Sequence, residues 1–264
     1  MRLITVIVFF LCFCMDANTV VLTEKQLNGK KDNDNSKFET IALKYLGLEE
    51  NDCAMHLIVQ KKLPYADQTV IVIPEYISES RNEFDEFDVN LHILLIDTTS
   101  EKVISYYPDE FVEISDAIKL GSISIDTGLF ILNEEYRAFG IVVHHNNFRR
   151  HGHYTSSTIS LFIQKNKTLQ MVLDSLITNY TRGEYSGCEG DTETMKSVLI
   201  MSDKQTNNFK NIIVKNTENH TFFERDKGIT IEDEFEDYPC IEREENFTNQ
   251  YTLKYVNGRY QKIN

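Results

Sequence analysis

Four histidines fall within ten residues in HHNNFRRHGH: His144, His145, His151 and His153, with Arg149 and Arg150 between them. Neutral imidazoles at such spacing can hold zinc or copper. On an extended segment the i, i+2 pair His151 and His153 would share one face. A catalytic metal also needs a third ligand, an open position and a carboxylate base. The sequence names none of these, and the two arginines raise the local potential against a cation. The plainer expectation is an exposed polar hairpin loop with incidental imidazoles; the alternative is a metal-dependent hydrolase using this loop.

Two other stretches could recognise rather than react. NEFDEFD holds Phe84, Asp85, Glu86 and Phe87, and the segment from Glu232 to Glu245 holds Glu234, Phe235, Glu236, Asp237 and Tyr238. Carboxylates steer a basic partner while aromatic rings supply contact area, so both stretches suit a basic protein. Solvated loops would have the same composition. Nucleophilic catalysis finds no support: G-x-S-x-G is absent, and Cys53 and His56 stand an odd number of residues apart, on opposite faces of any strand. Neither a P-loop nor G-x-G-x-x-G occurs, so nucleotide cofactors are not expected. Carboxylate pairs for glycoside hydrolysis stay open, because their separation in space cannot be read from sequence.

Composition narrows the class. The chain has 264 residues, 41% of them hydrophobic, enough for a packed core. A formal charge of −14 argues against nucleic acid and anionic membranes as partners. Arg2 followed by the apolar run Leu3–Cys14, with Asp16 and Ala17 behind it, reads as a signal peptide over residues 1–17. Acylation of Cys12 or Cys14 in a lipid-anchored envelope protein is the alternative. The expected location is periplasmic or secreted, with no transmembrane segment in the mature chain. In such a compartment Cys188 and Cys240, both in polar stretches, are expected to pair and to leave Cys53 as a buried thiol. Sequons at Asn166, Asn179, Asn219 and Asn246 matter only in a glycosylating host; an AT-rich bacterial gene gives the same Asn-rich composition.

The elements that must position these groups read as mainly β. Residues 18–35 are polar and suggest a flexible leader. Ser36 and Glu39 fit a capping box, and Phe38, Ile41, Ala42 and Tyr45 recur at helical spacing before Gly47. One N-terminal amphipathic helix is therefore expected. Short β-branched and aromatic runs follow: His56–Lys62, Thr69–Tyr76, Asn90–Asp97, Lys102–Tyr107, Ile123–Leu132, Arg137–Val143, Ser157–Ile163, Leu169–Asp174, Ser197–Asp203, Asn211–Asn216 and His220–Asp226. Asn257-Gly258 marks a closing hairpin. Asp109–Leu120 suits a short helix, the glycines at 183, 187 and 190 suggest a loop, and 231–246 an acidic loop. A single β-rich domain over 36–264 follows, with antiparallel sheets in an irregular small β-propeller-like or sandwich arrangement.

The segment SDKQTNNFKNIIVK, Ser202–Lys215, together with YTLKYVNGRYQ, resembles a degenerate FG-GAP or VCBS-type propeller repeat. That resemblance implies calcium, with Asp203 as first ligand, Gln205 at the third position and Asn207 at the fifth. Asn208 stands where the turn glycine belongs and Asn211 where an acid belongs. More broadly, the layout around IDTG and RAFGI resembles uncharacterised exported or envelope-associated bacterial proteins, which implies no activity. The function expected is an exported, non-catalytic binding protein of the cell envelope with no cofactor; zinc or calcium belongs to the alternatives.

Overall fold

The computed structural model describes residues 33–77, 86–147, 152–186, 188–225 and 240–263. The signal segment, Phe84, Asp85, His151 and the five residues Glu234–Tyr238 lie outside the described residues. The chain is mainly β with antiparallel sheets, and among the described residues there is one α-helix, α1 (Asn33–Leu46). Among the described residues, no helix is long and apolar enough to cross a membrane.

The first sheet joins β1 (Val59–Lys62), β2 (Gln68–Tyr76), β3 (Phe87–Asp97) and β4 (Lys102–Tyr106) in that order, with β5 (Val112–Ser115) paired to the start of β3. Its two central strands are almost continuous apolar runs because both faces are covered. Val70, Val72, Leu91, Ile93 and Leu95 point to the second sheet. Ile71, Ile73, Leu94 and Ile96 point the other way, onto Phe38 and Ala42 of α1 and the thiol-bearing Cys53. Phe38 and Ala42 are four apart, so one helical stripe does the covering.

The second sheet is a meander of eight strands in chain order: β6 (Lys119–Asp126), β7 (Phe139–Asn147), β8 (His153–Lys165), β9 (Thr168–Ser186), β10 (Glu189–Thr206), β11 (Phe209–Arg225), β12 (Cys240–Val256) and β13 (Arg259–Lys262). One buried cluster joins Ile123, Ile141 and Phe162 of this sheet to the first sheet. Another gathers Leu161 and Val172 of β8 and β9 with Ile212, Leu253 and Tyr260 of β11 to β13. Tight turns at Asn166-Lys167, Asn207-Asn208 and Asn257-Gly258 connect these hairpins, and every one of these residues has positive φ. Asn and Gly tolerate that conformation and match the twist of the strands. The chain is thus mainly β, as expected, and its two antiparallel sheets share one buried cluster.

Several local expectations are corrected. Helix α1 includes Asn33–Leu46, so Ser36 lies inside it rather than at its N-cap. Asp109–Leu120 forms β5 and the start of β6 rather than a helix. The strand expected through Leu132 stops at Asp126. His144 and His145 lie in β7 and His153 opens β8, so none of these three sits in a loop. Gly183 lies in β9 and Gly190 in β10, His220 continues β11, and Cys240–Asn246 is strand; Gly187 and residues 231–239 of the expected loops lie outside the described residues.

Candidate functional site

β9 to β12 are 17 to 19 residues long, about three times an ordinary strand. Only their proximal halves enter the buried clusters. The distal halves form an arm: Asn179–Ser186 pairs with Glu189–Lys196 on one side and, in its first part, with His153–Ser157 of β8 on the other, and Asn216–Phe223 runs between β10 and β12. A disulfide, Cys188–Cys240, ties the β9–β10 turn to the first residue of β12. This pairing is the one expected, and Cys53 is free and buried. Burial pushes the Cys53 thiol up to about 11, with help from the charges of Glu75 and Asp52.

Register aligns a transverse row across the arm: Tyr154, Arg182, Glu193, His220 and Glu245. Glu193 is its centre. The Arg182 Nε donates to Glu193 Oε2 at 2.7 Å and the Tyr180 hydroxyl donates to Oε1. His220 Nε2 stands 3.3 Å from Oε1. Burial raises the Glu193 pKa, but these donors outweigh it and hold the carboxyl below its usual range. Burial and the Glu193 contact push the Tyr180 phenol up to about 12. One row below, Glu218 accepts from Asn249 Nδ2 at 2.9 Å. Metal-competent atoms of Glu193, Glu218 and His220 all lie within 4.8 Å of one another. The arrangement can hold a cation, but Arg182 already neutralises Glu193.

The sequence-predicted histidines diverge. Neighbours on a strand face opposite ways. His144 Nδ1 bonds Ser157 Oγ at 2.8 Å on one face. His145 lies on the other, with Nε2 3.3 Å from the Ile114 carbonyl oxygen and 3.5 Å from Glu113 Oε2. Burial lowers the pKa of both rings, and His144 also weighs against the charging of His145. His153 pairs with Gly183 at the start of β8, several residues along from Ser157. The described three therefore cannot meet at one ion.

The acidic-aromatic residues are only partly placed. Phe87 is half-buried, with its ring edge-on to Tyr76 at 5.5 Å, so it packs rather than projects. Glu86 is half-exposed just before β3. The residues of the implied calcium loop lie at the β10–β11 hairpin. Asp203 is an exposed strand residue, Asn207 Nδ2 donates to the Tyr255 carbonyl at 2.9 Å, and Asn211 is buried and accepts from Thr206. Sequence reading missed the Tyr180–Arg182–Glu193–His220 network altogether. Alternate spacing of Tyr180 with Arg182 and of Glu218 with His220 was the available signal. No protein-family model, curated protein or solved structure matches this chain.

Proposed function

We propose that this is an exported binding protein of the cell envelope, without catalytic machinery of its own, that takes an extended basic segment along its arm. The observation that carries this reading is the outer edge of β12. From Cys240 to Gln250 every residue is exposed, and β13 joins β12 only from Leu253 onward. Among the described residues, no strand covers the rest of that edge. An open edge offers unpaired N–H and C=O groups to an added strand. Its side chains set the preference. Glu242 and Glu244 project to one face and Glu245 to the other, while Ile241 and Phe247 are each about half exposed and give apolar contacts. The formal charge of −14 would speed the approach of a cationic partner.

A synthetic peptide of alternating lysine and valine is the direct probe, with an alternating glutamate and valine peptide as control. Binding of the basic peptide alone, weakened by added salt and lost in the triple variant Glu242→Lys, Glu244→Lys, Glu245→Lys, supports the reading. Equal binding of the two peptides, or none of either, refutes it.

A second reading is favoured by the 4.8 Å grouping of Glu193, Glu218 and His220. A metal-dependent hydrolase would then use this arm cluster instead of the His-rich stretch, with zinc or calcium displacing Arg182 and Tyr180 from Glu193. Zinc calorimetry decides it: stoichiometric uptake that disappears in His220→Ala supports a metal site, and no heat of binding removes it.

A further inference from the structure

The open edge of β12 has two unlike faces. Side chains alternate along a strand, so Glu242, Glu244 and Asn246 share one face while Ile241, Arg243, Glu245 and Phe247 share the other. The charges are divided unequally between them. Arg243 Nη2 stands 3.7 Å from Glu245 Oε1, so that acid is partly neutralised from its own face. Among the described residues, no basic side chain lies within 4.0 Å of Glu242 or Glu244. Glu244 Oε2 accepts from Asn219 Nδ2 at 3.4 Å. Further along the same face the register sets Lys215 beside Gln250, which confines the uncompensated acid to the Cys240 end.

The other face is aromatic. The Phe247 ring is edge-on to His220 at 5.5 Å, and the residue is 47% exposed. His220 is edge-on to Phe222 at 6.4 Å, and the Arg243 guanidinium lies over the Phe222 ring, 4.7 Å from its centre. Ile241, about half exposed, ends this strip near the disulfide. Glu193 braces it from the neighbouring strand, through the 3.3 Å approach of His220 Nε2. The Tyr180–Arg182–Glu193–His220 network thus positions an apolar strip along one side of the edge, with unpaired acid along the other.

We propose that the edge selects its partner by face as well as by charge, an inference that rests on the strand-addition reading. The added strand carries two cationic side chains two residues apart, opposite Glu242 and Glu244, and apolar side chains at the intervening positions, over Ile241, Phe222 and Phe247. Side chains directly opposite on one face of a sheet have Cβ atoms about 4.5–5.5 Å apart, within reach of an ammonium–carboxylate pair. A lysine on the aromatic face would instead meet Arg243 and break the apolar contact, which penalises a basic segment of the wrong phase.

Two labelled peptides of one composition test this on the full chain by fluorescence anisotropy at low salt. One reads Lys-Ile-Lys-Val-Thr-Val-Thr; in the other the first two residues are exchanged, so its lysines are adjacent. Because strand side chains alternate, no shift of register can bring adjacent lysines to one face. The first peptide should bind about tenfold tighter than the second. Glu242→Gln with Glu244→Gln should shrink that preference to about twofold or less. Glu184→Gln with Asp191→Asn removes the same charge from β9 and β10 and should leave the preference intact. Phe247→Ala should weaken the first peptide about fivefold. All five side chains are exposed, so these variants keep the fold. Equal affinity for the two peptides overturns this inference and leaves strand addition standing, as does a preference lost equally in both charge variants. If neither peptide binds, the strand-addition reading falls and this inference with it.

Discussion

Replacing Glu113 with Gln tests the electrostatics of the seam between the two sheets. Glu113 lies in β5 with only 13% of its side chain exposed, and its Oε2 is 3.5 Å from His145 Nε2. Burial, and next the charge of Asp174, raise its pKa from 4.5 to about 7. The folded chain therefore holds this proton more tightly than the unfolded chain. The stability it confers is complete below pH 4.5 and is lost as the pH climbs through about 7. At about 1.4 kcal/mol per pH unit, that rise sets an upper bound of about 3.5 kcal/mol. His145 can recover part of this by taking up a proton beside the new charge, so the expected loss is roughly 1–3 kcal/mol. Glu113→Gln removes the ionisation while nearly conserving shape. It should match wild type at about pH 4.5 and exceed it by that margin at about pH 8. Urea unfolding followed by circular dichroism and by tyrosine emission, in a chain that has no Trp, measures both. If wild type and variant lose stability in parallel between the two pH values, the seam carboxyl is not the titrating group and the reasoning fails.

Three further outcomes follow from the geometry. Cys188→Ala with Cys240→Ala opens a disulfide across 52 residues and should cost about 2–5 kcal/mol; amide exchange should accelerate in the distal arm before the buried core, and uniform acceleration would count against a separate arm. Glu193→Gln should destabilise the chain by about 1–3 kcal/mol near neutral pH, and because its folded pKa lies below the usual carboxylate value, that contribution should vanish as the pH falls below about 4. Cys53, buried with its thiol raised to about 11, should resist a thiol reagent at neutral pH until the protein is unfolded in urea; rapid native labelling would contradict its burial.

How much of this was readable in the chain depends on what covers each strand. β2 and β3 stand out as TVIVIPEY and NLHILLID because both of their faces are buried, so almost every position is apolar. The hairpin on Asn257-Gly258 was equally plain, since the turn chemistry is local. Asp109–Leu120 misled because Phe111, Ile114, Ala117 and Ile118 recur at helical spacing, whereas β3 offers its edge to Val112–Ser115 and a non-local ladder wins. Thr127–Leu132 looked like strand continuation because GLFIL is an apolar run, and Phe130 and Leu132 are indeed buried. They fill the second core from an irregular segment that ordinary periodicity does not describe.

The arm was hidden for the opposite reason. Distal β10 to β12 expose one or both faces along most of their length, so hydrophobic alternation never appears. What holds those strands is their ladder, the disulfide and cross-strand bonds such as Asn219 to Asn246 at 3.1 Å and Ser197 to Asn216 at 2.9 Å. None of these leaves a periodic mark in one sequence. The same absence explains why the His-rich stretch drew attention while Glu193 did not. Clustered imidazoles are conspicuous in one dimension, but on β7 adjacent ones are sent to opposite faces. Arg182, Glu193 and His220 are far apart in sequence and meet only because two antiparallel registers align them. Function in this chain is therefore to be sought where register, not sequence proximity, brings charge together.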